Sequence, residues 1–276
     1  GYTGSVVRWQ RRLNAGAWVN IANTNTTYSE VPASAGTWEY RAEVQSGVCT
    51  SDYSSARAIV VIPPSVGGTI SGGVTPLCPG DNTGVMTLSG HTGTIIRWEK
   101  RVNGGSWSNI ANTGATYSEV PSSSGTWDYR AYVQNSPCTG DYSSVRTLVV
   151  RPAYNAQLHD DISICNNTST NFNIVLSAGS PPYTINYTRN GTPQAQLNNY
   201  NSGTNVPTGL LTTGWYVYQL TSVTDADGCN AQSLGTPITV TVGAALVNAT
   251  ISGSGNGCDG SSSWFALNVN GGAPPY

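Results

Sequence analysis

The chain repeats itself without gaps at a spacing of 89 residues. Of positions 1–63, 39 are identical to positions 90–152, and the shared runs include Tyr28–Pro32 with Tyr117–Pro121. A near-copied unit of domain size placed in tandem is typical of arrays, which supply reach, spacing or multiple contacts. We therefore predict a repeat array in which residue 1 falls inside a unit.

The apolar pattern predicts strands. Residues 94–102 alternate, with Ile96, Trp98 and Val102 expected on one face, and residues 127–134 alternate in the same way. Gly-, Asn- and Ser-rich turns separate such runs, while hydrophobic residues make up 38% of the chain and eight residues are Trp. Short alternating strands with frequent turns indicate an all-β fold of tandem immunoglobulin-like sandwich modules with almost no helix. Short proline-containing joints favour an elongated, end-to-end array.

A second period divides the rest of the chain. Cys165 and Cys258 are 93 residues apart, and a Pro-Pro-Tyr run recurs at the same spacing. We expect four repeats: the C-terminal part of an immunoglobulin-like module, a complete module of that type, a complete module of a second subtype, and the N-terminal part of another. These first to fourth repeats span residues 1–63, 64–152, 153–243 and 244–276.

The cysteines predict disulfides. No CxxC pair exists, which gives zinc-ribbon and thioredoxin sites no support. Cys78 and Cys138 lie 60 residues apart and Cys165 and Cys229 lie 64 apart, so each complete repeat holds one pair. We predict a bond within each pair and expect Cys49 and Cys258 to pair outside the chain. Disulfides imply an oxidising, extracytoplasmic setting, whereas buried free thiols are the alternative.

Charge and motif content exclude several classes. The net charge of −2 provides no field for nucleic acid, and no apolar run is long enough for membrane insertion. No nucleophile motif accompanies either of the two histidines, and His91 is replaced by Tyr2 in the first repeat. Glu119 and Asp128 are expected at solvent-facing positions. We therefore predict no enzyme and no cofactor.

Two kinds of ligand site remain as weaker candidates. Trp18 and Trp107 offer possible stacking faces for sugars, against the alternative that they pack within the sheet. Asp225 and Asp227 form a weak calcium candidate, against the alternative of an Asp/Gly turn, because calcium requires six to eight oxygen ligands.

The repeats resemble known modules. The second repeat resembles an immunoglobulin domain, with Trp98 as the core Trp of its third strand and Tyr129 as a candidate tyrosine corner. The run Gly179–Thr184, its copy at residues 272–276, and the turn Thr224–Cys229 resemble the SprB-type repeats of large Bacteroidota surface adhesins.

That resemblance implies a function. It suggests a secreted, surface-attached filament exported by the type 9 pathway and used in gliding and cell adhesion. The expected role is that of a rigid spacer and attachment module whose partners are adjacent repeats, with surface glycans or the outer-membrane secretion and motility machinery as further possibilities. The alternatives are a carbohydrate-binding array and accessory modules of a secreted enzyme.

Overall fold

The described residues form β-strands and no helix, which confirms the all-β prediction. The computed structural model describes residues 3–159, 161–253 and 255–271. Their contacts define two units. The first unit comprises Gly1–Thr75, Asn82–Glu119 and Thr126–Leu148; the second comprises Pro76–Asp81, Val120–Gly125 and Val149–Tyr276. Within the described ranges no helix is long and apolar enough to cross a membrane.

The first repeat contributes one five-stranded sheet. Its strands are β1 (Ser5–Leu13), β2 (Val19–Ile21), β3 (Gly36–Gln45), β4 (Asp52–Tyr53) and β5 (Arg57–Val61). The order is β2-β1-β3-β4, and β5 also pairs with β3. Val6, Trp38 and Ala42 are its buried apolar side chains, as alternation along β1 and β3 requires.

The second repeat is a two-sheet sandwich. Its strands are β6 (Thr69–Gly72), β7 (Met86–Ser89), β8 (Thr94–Val102), β9 (Ser108–Ile110), β10 (Thr116–Tyr117), β11 (Gly125–Gln134), β12 (Asp141–Tyr142) and β13 (Arg146–Val150). One sheet has the order β10-β7-β6; the other has β12-β11-β8-β9, with β13 also pairing with β11. Tyr117 of the first sheet lies 5.8 Å from Trp98 and 6.2 Å from Tyr129 of the second, measured between ring centroids. This arrangement is that of an immunoglobulin- or fibronectin-like module.

A β-bulge alters the predicted alternation of β8. Arg97 pairs with Tyr132 and Ile95 with Val133, so Ile96 has no opposite residue. Ile95 is therefore buried on the Trp98 side, whereas Ile96 is 42% exposed. The prediction that Ile96 shares a face with Trp98 was wrong for this reason.

The third repeat has a related sandwich. Its strands are β14 (Ala156–His159), β15 (Ile162–Cys165), β16 (Asn171–Leu176), β17 (Tyr183–Arg189), β18 (Thr192–Pro193), β19 (Leu197–Tyr200), β20 (Asn205–Pro207), β21 (Gly214–Thr224) and β22 (Ile238–Gly243). One sheet has the order β14-β16-β20; the other has β15-β22-β21-β17-β18, with β19 on β17. Tyr187 faces Leu220 as Trp98 faces Ala131. Phe172 packs between the sheets, 4.8 Å from Tyr218.

The fourth repeat contributes an antiparallel hairpin, β23 (Leu246–Gly253) and β24 (Phe265–Gly271). The second copy of the Pro-Pro-Tyr motif, residues 272–276, lies outside the described residues. The repeat boundaries read from the sequence remain predictions.

Candidate binding surface and disulfide sites

Trp107 is stacked against arginines on the outer face of the second repeat. Arg101 on β8 and Arg130 on β11 occupy the face opposite Trp98, because they alternate with the buried residues of their strands. Their guanidinium carbons lie 4.6 Å and 4.0 Å from the Trp107 ring centroid, and Arg130 also lies 3.7 Å from the Tyr142 ring. Trp107 is thus held in a row of cation–π contacts.

A buried carboxylate, Glu99, pairs with Arg130 and with Arg97 on the same face. Glu99 is 3% exposed and accepts hydrogen bonds from Arg97 at 2.7 Å and Arg130 at 2.8 Å. Burial acts to raise the pKa of Glu99, but the hydrogen bonds and charges of Arg130 and Arg97 outweigh it and lower that pKa. The charges of Arg97 and Arg130 are therefore paired with an acid of the same repeat.

The first repeat builds the same stack with a displaced carboxylate. Trp18 lies 4.5 Å from Arg12 and 4.1 Å from Arg41, which is 3.9 Å from the Tyr53 ring. Gln10 replaces Glu99, and Glu43 replaces Tyr132 and binds Arg8 at 2.6 Å. The negative charge has moved to the neighbouring strand while the Trp–Arg–Tyr stack is unchanged. Both predicted stacking residues, Trp18 and Trp107, therefore have arginine partners in this structure.

Trp215 is an exposed indole that the sequence analysis did not select. It is 73% exposed, whereas Tyr218 three residues later is 2% exposed. An odd spacing along β21 places the two side chains on opposite faces. This odd spacing was the sequence feature that could have identified Trp215 as exposed. Among the described aromatic residues of the third repeat, Trp215 presents the most accessible ring.

Glu119 and Asp128 do not face solvent, contrary to prediction. Tyr129 donates its hydroxyl to Glu119 at 2.9 Å, and Lys100 also binds that carboxylate. Asp128 is 8% exposed and accepts from Arg101 at 2.8 Å and Thr147 at 2.6 Å. Adjacent strands bring a donor to each acid, so both are structural. The acceptor of Tyr129 is a carboxylate rather than the backbone of a tyrosine corner.

Asp225 and Asp227 organise a turn. Asp225 accepts the backbone N–H groups of Cys229 at 2.8 Å and Ser180 at 3.2 Å, and it is 6% exposed. Asp227 accepts the Ser180 hydroxyl at 2.5 Å and pairs with Arg151 at 2.8 Å. Donors therefore occupy these oxygens. Residues 3–159, 161–253 and 255–271 contain no group of three or more His, Cys, Asp or Glu side chains arranged to hold a metal.

The disulfide joins successive repeats, not the predicted partners. Cys78 is bonded to Cys229, 151 residues later, with their Cα atoms 5.3 Å apart. Cys138 and Cys165 have free thiols, so the predicted bonds Cys78–Cys138 and Cys165–Cys229 were wrong. Cys49 and Cys258 are also free and exposed.

Strand topology explains this pairing. The residue before Cys78, Leu77, forms a parallel bridge with Val150, which places Cys78 in the second unit. Cys138 follows the C-terminal end of β11 in the first unit. A spacing of 60 residues suggests a shared module, but it does not specify at which end of the sandwich each cysteine lies.

The chain is similar to several solved structures. Fibronectin(III)-like modules of Clostridium thermocellum CbhA are 14% identical (TM-score 0.29; 63% of this chain and 93% of that one covered). Chicken CNTN1 domains FN1–FN3 are 11% identical (TM-score 0.30; 87% and 88% covered). The Bacteroides ovatus protein SGBP-B of a mixed-linkage glucan utilization locus, in complex with a heptasaccharide, is 16% identical (TM-score 0.23; 92% and 65% covered).

Sequence comparison assigns the family. A search among curated proteins found no match. The model of a domain of unknown function, DUF8696, matches residues 1–63 and again residues 66–152, one match for each copy of the 89-residue repeat. The two matched ranges together cover more than half of the 276 residues. The chain therefore belongs to the DUF8696 family.

Proposed function

We propose that this chain is a repeat segment of a long, secreted cell-surface adhesin or filament and acts as a spacer and attachment module. The observation that carries the proposal is the relocated carboxylate of the outer face. Gln10 with Glu43 replaces Glu99 with Tyr132, yet the stack of Trp18, Arg41 and Tyr53 is maintained. A face preserved by internal compensation fits a structural unit better than a ligand site.

The disulfide supports an extracytoplasmic location. A Cys78–Cys229 bond persists only in an oxidising compartment in most organisms. Attachment to the cell surface, gliding and export by the type 9 pathway rest on the resemblance of Gly179–Thr184 and Thr224–Cys229 to SprB-type repeats. Labelling intact producing cells with an antibody against the second repeat tests this location. Labelling only after cell lysis would contradict it.

We further propose that the segment is not catalytic. Glu119 and Asp128, the recurring acids, are engaged by Lys100, Tyr129 and Arg101, which leaves them unsuited to proton transfer with a substrate. The alternative of an accessory module in a secreted enzyme would be favoured by a catalytic domain in the same polypeptide.

A carbohydrate-binding array is the second candidate, and exposed Trp215 favours it over a purely mechanical role. A glycan array probed with the full chain separates the two functions. The spacer proposal expects no retained glycan. Retention that is lost in Trp215→Ala or Trp107→Ala would establish sugar binding instead.

The two Trp variants are matched controls for one another. Trp107→Ala removes the contacts with Arg101 and Arg130 and should lower the free energy of unfolding by about 1–3 kcal/mol. Trp215→Ala removes a 73% exposed ring and should change it by less than about 0.5 kcal/mol. Loss of binding in Trp215→Ala would therefore report on recognition rather than stability.

A further inference from the structure

The turn after β11 of the second repeat contacts the end of the first repeat. It resembles the turn around Cys229, whose cysteine is in a disulfide. Cys138 lies in the turn after β11, and its sulfur is 3.8 Å from the carbonyl oxygen of Ile62 and 3.6 Å from that of Pro63. Asn135 in the same turn donates from its side chain to Pro63 at 2.9 Å. The turn is therefore fixed against the end of the preceding repeat.

The equivalent position after the second repeat holds a cysteine-bearing segment, residues 76–81, which we call the leader segment of that repeat. The 89-residue shift equates Ile62 and Pro63 with Arg151 and Pro152. Leu77 donates its N–H to Val149 at 2.8 Å and accepts from Arg151 at 2.9 Å, which places Cys78 beside this segment. Cys229 reaches the same place from the turn after β21 and closes the disulfide.

The third repeat has an equivalent leader segment, β15, and its cysteine is free. Ile164 pairs in parallel with Val242, as Leu77 does with Val150, and Cys165 follows as Cys78 does. Cys165 is exposed and reduced. The leader segments of the second and third repeats therefore each carry a cysteine beside the end of their own repeat, where a turn cysteine of the next repeat can meet it.

We propose that Cys78–Cys229 is one member of a regular series and that Cys138 is the turn half of another. The end of the first repeat at Ile62 would accept a leader segment like residues 76–81, whose cysteine bonds to Cys138. Cys165 would supply the leader cysteine for a bond to a following repeat. The inference concerns the covalent connection between repeats and does not depend on which surface the array binds.

The chemistry is ordinary thiol oxidation. The leader cysteine first forms a mixed disulfide with an oxidised dithiol carrier or glutathione disulfide, and the Cys138 thiolate then attacks that sulfur. One protein S–S bond forms, and two thiol protons and two electrons pass to the carrier, which leaves reduced. The free Cys138 thiol, half-buried at the joint, is the reactant that this step requires.

The chain can supply its own test segment. Position 1 corresponds to position 90, so a copy of residues 65–89 fused before Gly1 continues the repeat in register and adds one leader cysteine. After refolding in glutathione buffer, non-reducing peptide mapping should find that cysteine bonded to Cys138. The unextended chain, mapped in parallel, should show Cys138 fully alkylated.

Matched variants make the result decisive. In the extended chain, Cys49→Ser should leave the new bond intact and Cys138→Ser should abolish it, while Cys78–Cys229 in the same molecule reports correct folding. A bond from the added cysteine to Cys49 would overturn the proposal in favour of staples within each repeat. Continued alkylation of the added cysteine while Cys78–Cys229 forms would also overturn it.

Discussion

At the scale of single residues, buried tyrosines control how the core responds to pH. Tyr129 is fully buried and donates to Glu119, and Tyr117 lies beside it. Burial raises the pKa of Tyr117 to about 12, with the charge of Glu119 contributing. Burial raises the pKa of Tyr129 further, and its hydrogen bond to Glu119 adds to the effect. Both hydroxyls therefore hold their protons more tightly in the folded chain than in the unfolded one.

The raised pKa values of these two tyrosines predict that the folded chain loses stability at alkaline pH. A raised tyrosine pKa contributes stability that is fully present below the unfolded value of about 10 and is lost as the pH rises toward the folded value. The urea midpoint of the full chain should therefore fall between about pH 10 and pH 12. Tyr129→Phe removes one of these protons and should flatten that slope. An unchanged slope in Tyr129→Phe would contradict the assignment.

At the scale of the strand, alternation allowed much of the fold to be predicted. Strand β8 was predicted at residues 94–102, and its bounds are confirmed. The bulge at Ile96 was not predictable, because it depends on the partner strand β11. The internal pairing of Glu119 was missed for the same reason, since Tyr129 and Lys100 reach it from other strands. The apolar pattern of one strand predicts which face of the sheet each side chain lies on. The register with neighbouring strands decides which residues that side chain contacts.

The displaced carboxylate provides a test at this scale. Glu99→Gln should lower the free energy of unfolding by about 1.5–3 kcal/mol, because Arg97 and Arg130 lose a charged acceptor. Tyr132→Glu in the same chain recreates the pair Gln10 and Glu43 of the first repeat.

A double-mutant cycle in urea measures the compensation. The double variant should be more stable than the sum of the two single effects by about 0.5–3 kcal/mol, because Tyr132→Glu alone adds a second acid beside Glu99. Additive effects would mean that an acid at position 132 cannot replace the acid at position 99 in pairing with these arginines.

The acidic side of the same network has the opposite pH dependence. The pKa of Glu99 is lowered in the folded chain, so its contribution is present above its unfolded value and is lost as the pH falls through the folded one. In the Glu99→Gln variant this acid dependence should weaken, which separates it from the alkaline effect of the tyrosines.

At the scale of the whole molecule, the disulfide is the feature that sequence spacing predicted least well. Counting residues between cysteines located the bonding residues Cys78 and Cys229 but paired each with the wrong partner. Pairing depends on which strands end at the same edge, and the parallel bridge of Leu77 with Val150 determines this. The resulting loop encloses most of two repeats, so it limits how far the chain can be extended.

When the chain is pulled from its two ends, the disulfide should reduce its maximum extension. A fully extended chain spans at most about 3.3–3.6 Å per residue, so a bond across 151 residues removes roughly 500 Å from the final extension. Single-molecule stretching from the two ends of the full chain should show that difference between oxidised and reduced samples. Cys78→Ser alone should recover all of it without reductant, since one bond accounts for the whole loop. Bonds within each repeat would instead lock two segments of roughly 200 Å each, and Cys78→Ser would release only one of them. Recovery of the smaller length would therefore show that the connection between successive repeats does not form in solution.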